Sequence, residues 1–162
     1  MAANLKSNNK IPDLNSTFFS LDTVSTLISN VIDPEESVSV YNAPMLLTYL
    51  TTVPFVLPED QAIIDNFTQL LSEFVEKSCL KLNVQASSHP KLGVGRVKIV
   101  EILRHILKED ILKAREIIAS KDNFFPTLYN LLVEYDLNNL LHNEIMKILE
   151  VALLEKEGSS LN

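Results

Sequence analysis

With 162 residues, 46% of them apolar and 22% charged, the chain has the composition of one ordinary globular domain. Its net charge of −7 disfavours nucleic acid and anionic membranes as partners. The single cysteine, Cys79, excludes an intramolecular disulfide and a cysteine-based zinc set.

Residues 1–15 are polar and aperiodic, which predicts a loose arm. A first helix is expected from Ser16 or Thr17 to Ile32, with Phe18, Leu21, Val24, Leu27, Ile28 and Val31 on one side and Asp33-Pro34 as its stop. A short apolar helix is expected from Pro44 to Thr52. Pro58-Glu59-Asp60 has the pattern of a helix start, since proline suits the first turn and acids complement the dipole. The helix it opens carries Ile63, Ile64, Phe67, Leu70, Leu71, Phe74, Val75 and Leu82 at helical spacing. Cys79 lies in the same stretch and reads as a packed thiol.

Asn83 to Pro90 reads as a loop. Four striped segments follow at about 93–108, 110–120, 124–135 and 138–156, and a polar tail occupies 157–162. No stretch alternates with the period of a strand. The prediction is an all-α domain over 16–156, with about seven helices in an armadillo- or HEAT-like stack. No N-terminal apolar core marks a secretory signal, and no run reaches the ~18 apolar residues of a membrane span. A cytoplasmic location, with or without a nuclear fraction, is therefore expected.

Charge is unevenly spread. Residues 91–115 hold seven cations against three acids, whereas residues 116–162 hold three against eight. The basic stretch, with Lys91, Arg96, Lys98, Arg104, Lys108, Lys113 and Arg115, reads either as solvated helix faces or as a strip for an acidic partner. No aromatic side chains interleave with the cations, which argues against nucleic acid.

Catalytic patterns are missing. His89, His105 and His142 lack metal-ligand spacing, so neither a metal nor a cofactor is expected. Gly93-Val94-Gly95 fails as a phosphate loop because Lys98 stands where a third glycine belongs and no strand precedes it. The glycines suit a chain entering a helix with unusual φ or close to a neighbour. Carboxylate pairs occur only at predicted loops and helix starts. Ser87-Ser88-His89 has no partner pattern for nucleophilic catalysis. The chain reads as a binding protein, not an enzyme.

Asn138, Asn139 and His142 form the other polar signature. Asp136 or Asn138 is placed to cap the last helix, and both asparagines lie within one turn of the imidazole. Such a set serves either to fix the angle between two helices or to touch a partner.

Together the two stretches resemble the SAPS-domain family, regulatory subunits of phosphatases of the protein phosphatase 6 branch. Leu92, Gly93 and Arg96 opening the apolar run to Leu107 match one family element. Leu131 to Tyr135, then Asn138, Asn139, Leu141 and His142, match another in order and spacing. The resemblance covers about 91–154, as in a short or truncated member. It implies an armadillo-like helical domain that binds a serine/threonine phosphatase catalytic subunit and directs it to substrates. Arg96, Lys98, Asn138, Asn139 and His142 are the candidate contacts, and Leu92, Gly93 and Gly95 the structural motif. The competing expectation is a helical scaffold for a different protein.

Overall fold

The computed structural model describes residues 20–33, 44–45, 61–83 and 92–158, and these are all-helical, with no strand among them. Six α-helices are present: α1 (Leu21–Ile32), α2 (Gln61–Leu82), α3 (Val94–Lys108), α4 (Ala114–Ala119), α5 (Phe124–Glu134) and α6 (Asn139–Gly158). The expected seventh, from Pro44 to Thr52, falls mostly outside the described residues, where only Pro44 and Met45 are seen, both helical. The 1–15 arm, the Pro58-Glu59-Asp60 start and the 84–90 loop also lie outside them.

α1 begins at Leu21, a turn later than the stripe alone predicts. The Ser20 hydroxyl accepts from the Thr23 amide at 3.2 Å and so fixes the N-cap there. At its other end Asp33 is paired with Lys81 of α2 at 2.5 Å. α2 runs 22 residues, about 33 Å at 1.5 Å per residue. Phe74, Val75, Cys79 and Leu82 on its inner side are almost wholly enclosed, as the stripe required.

Segment 110–120 departs from expectation. A 3-10 turn, Ile111–Lys113, precedes a short α4, and Asp110, Leu112 and Lys113 all adopt positive φ of 48°, 51° and 58°. Left-handed backbone disfavours any residue with a Cβ, by roughly 1–2 kcal/mol each. Local hydrogen bonds offset this. The Asp110 carboxylate accepts from the Arg115 amide at 3.1 Å, and Arg115 Nε donates to the carbonyl of Leu107 at 3.2 Å. One side chain thereby caps the end of α3 and another the start of α4.

α3 lies at the centre. Arg96, Ile99, Val100, Ile102, Leu103, Ile106 and Leu107 are all buried along it. It packs against α1, α2, α4 and above all α6, while α2 also meets α1, α4 and α5. From α6 come the fully enclosed Leu141, Ile145 and Ile148. Each such aliphatic side chain contributes about 1.5–3 kcal/mol of transfer free energy before chain entropy is subtracted. No helix among the described residues is long and apolar enough to cross a membrane.

Candidate functional site: a groove between two helix starts

Both polar signatures of the sequence arrive at one place. α3 starts at Val94 and α6 at Asn139, and the α5–α6 link runs between these two helix starts. An open groove of about 800 Å³ is lined here by Leu92, Gly93, Val94 and Val97 from one motif and by residues 134–140 from the other.

Each helix start is built differently. Gly93 precedes α3 with φ of +75° and offers no side-chain cap. A Cβ placed on it would meet nothing within 4 Å. Its glycine is therefore required by backbone conformation, not by close approach of a neighbour. Gly95 sits in the first turn of α3, half-buried. At the α6 start, Asn138 Oδ1 accepts from the Leu141 amide at 3.0 Å, and the Asn138 carbonyl accepts from the His142 amide at 3.0 Å. Of the two expected caps, Asn138 serves and Asp136 stays exposed.

Arg96 links the two motifs from inside. It is only 9% exposed, and its guanidinium donates to the Tyr135 hydroxyl at 3.0 Å. Reading it as part of an exposed basic strip is therefore corrected, because its charge faces the interior. The rest of that strip is also largely engaged within the chain. Lys98 bonds Glu101 at 2.6 Å within α3, and Lys108 lies 3.6 Å from Glu109. The Arg115 side chain caps the end of α3 as described above. Arg104 reaches across to Glu144 of α6, which also accepts from Lys147 at 2.9 Å. Lys113 is exposed, and Lys91 lies outside the described residues.

Asn139 is exposed. His142 is half-buried, and its Nε2 is enclosed without a hydrogen-bond partner among the described residues. His105 is half-buried beside Arg104 with 3.0 Å between their nitrogens. Burial first, then the neighbouring guanidinium, lowers the His105 pKa. Burial pushes the Cys79 thiol up, away from the reactive thiolate.

Apolar side chains that composition alone did not single out complete the groove. Leu137 is 89% exposed and Leu140 is 71% exposed, with Val94 opposite at 46%. Glu134 and Asp136 are exposed beside them, and among the described residues no cation lines the groove. A clue existed in the sequence: Leu137 interrupts the polar Asp136–Asn139 link that a solvated turn would carry through, and Leu140 follows directly. Among the described residues, no group of three or more His, Cys, Asp or Glu is placed to hold a metal. No family model, curated protein or solved structure matches the chain.

Proposed function

We propose that the chain is a non-catalytic interaction subunit that receives a partner in the groove between the α3 and α6 starts. The partner we infer is a serine/threonine phosphatase catalytic subunit of the protein phosphatase 6 type. The observation that carries the groove is convergence: the two motifs, some 40 residues apart, are tied by the Arg96–Tyr135 bond and line one apolar cleft. Exposed apolar side chains gathered in one place and rimmed by polar ones mark surfaces that bind other proteins. The partner's identity rests on the SAPS resemblance of those same motifs. The finer architecture that goes with this reading is an armadillo- or HEAT-like stack, working in the cytoplasm with or without a nuclear fraction. In it the chain supplies shape and position, while metal and chemistry belong to the phosphatase.

Titration of the full chain with purified phosphatase 6-type catalytic subunit tests this. Saturable binding is expected, weakened about tenfold or more by Leu140→Asp at the groove wall and little changed by Lys98→Glu. Absence of binding sinks the reading.

A second reading has its own observation. Arg96 and Asn138 use their side chains inside the fold, which suits motifs kept for packing in a scaffold for some other protein. On that reading Arg96→Met and Asn138→Ala lower thermal stability, and the phosphatase subunit does not bind to the intact chain.

A further inference from the structure

α5 is amphipathic with two contrasting sides. Its inner side carries Phe124, Thr127, Leu128 and Leu131, all buried. The opposite side holds Phe125, Tyr129 and Val133, which fall at i, i+4 and i+8 and so form one outward stripe. Phe125 is 39% exposed, Tyr129 66% and Val133 60%. Phe125 is held edge-on against buried Phe124, with ring centroids 5.2 Å apart, which fixes one end of the stripe. No helix among the described residues covers these three positions.

The charges around the stripe are of one sign. Asp122 lies just before α5, while Glu134 and Asp136 lie at and beyond its end, on the rim it shares with the groove, and all three are exposed. None of the three has an ion-pair partner among the described residues. α5 contains no lysine or arginine, and the preceding Lys121 is drawn to Glu76 of α2 at 3.4 Å. An apolar row with unpaired carboxylates at both ends matches a helix with an apolar face and basic ends.

We propose that the outward face of α5 is a second docking surface, whose occupant is a basic amphipathic helix of a partner protein. Charge decides against the rivals. A second copy of this chain would set Asp122, Glu134 and Asp136 against their counterparts, and an anionic membrane would meet the same carboxylates. Tyr129 stands midway along the row and is the anchor: a large, stiff, amphipathic ring of the kind enriched among the residues that dominate protein interfaces. The proposal does not depend on which protein fills the groove.

The test uses the full chain and a fluorescent synthetic helix of roughly 18 residues, about 27 Å long, with leucines at helical spacing and lysines at both ends. Fluorescence anisotropy should show saturable binding that weakens as salt rises from about 50 to about 300 mM. Exchanging the peptide's lysines for glutamates, or introducing Tyr129→Ser with Val133→Ser, should each weaken it about tenfold or more. Because Tyr129 and Val133 are exposed, circular dichroism of that double variant should match the parent. Binding should persist in Leu140→Asp, which places the peptide outside the groove and keeps this result separate from the phosphatase titration. Four outcomes overturn the proposal. The first two are an absence of binding and equal binding of the lysine and glutamate peptides. The third is loss of binding only in Leu140→Asp. The fourth is a chain dimer by sedimentation that the Tyr129/Val133 variant abolishes, which would make the occupant a second copy.

Discussion

A guanidinium as enclosed as that of Arg96 depends on the acceptors that reach it. The Tyr135 hydroxyl is one, at 3.0 Å. Tyr135→Phe should destabilise the chain by about 1–3 kcal/mol in urea unfolding, since it removes the acceptor and keeps the ring. Arg96→Glu puts a carboxylate in the same enclosed site and should cost more, on the order of 3–5 kcal/mol. If Arg96→Glu left the unfolding midpoint in place, Arg96 would not be the interior tie described here. Two further residues set a pH dependence. His105 is held below the ordinary 6.5, so the unfolded chain takes up that proton first and stability falls as the pH drops below about 6.5. Burial alone would raise the Glu144 carboxyl, but the bonds from Lys147 and Arg104 together hold it below its ordinary 4.5. Its stabilisation is present above pH 4.5 and is lost as the pH falls through the lower folded value. Unfolding midpoints measured from pH 7 to 3 should therefore decline in two stages. His105→Gln should remove the upper stage and Glu144→Gln the lower.

Helix ends carry the next set of consequences. Lys113 holds a left-handed backbone while its side chain is exposed, so glycine there gives up conformational strain and little packing. Lys113→Gly should raise stability by about 0.5–1 kcal/mol, whereas Gly93→Ala, at φ of +75°, should lower it by roughly the same amount. Asn138→Ala should cost about 1 kcal/mol through the lost cap, and Asn139→Ala, one residue on, a few tenths at most. Thermal melts of the four variants check all of these together. Helical spacing was legible where a stripe was long: the expected 93–108, 124–135 and 138–156 segments agree with α3, α5 and α6 to within about two residues. The 110–120 segment misled because Asp110, Leu112 and Lys113 carry no glycine signal, and what holds their backbone is Arg115 reaching back to the end of α3. For the groove, Gly93 and Asn138 were readable from local backbone chemistry. The fate of Arg96 and Arg104 was not, since their partners Tyr135 and Glu144 lie 39 and 40 positions away and only packing brings them near.

Across the whole molecule, α6 completes what α3 begins. Leu141, Ile145 and Ile148 cover the central helix, and the Arg104–Glu144 pair spans the same contact. Both side chains of that pair are 16% exposed, so removing one leaves the other poorly hydrated. Arg104→Ala should therefore cost about 2–3 kcal/mol, read as a shift in the urea midpoint. Deleting residues 139–158 should go further, replacing cooperative unfolding with a shallow transition and giving strong binding of an apolar dye. A sharp, two-state melt of the shortened chain would show that α3 is closed by other elements.

The position of α6 in the chain also gives this fold a history. A ribosome delivers α3 first, and Tyr135 follows Arg96 only 39 residues later. At roughly 5–20 residues per second, the nascent chain displays that buried arginine and its apolar neighbours for on the order of 2–8 seconds. During that interval α3 resembles a client for holdase chaperones more than a finished core. The arrival of Tyr135 ends that wait for Arg96, and α6, which begins at Asn139, then covers the apolar side of α3.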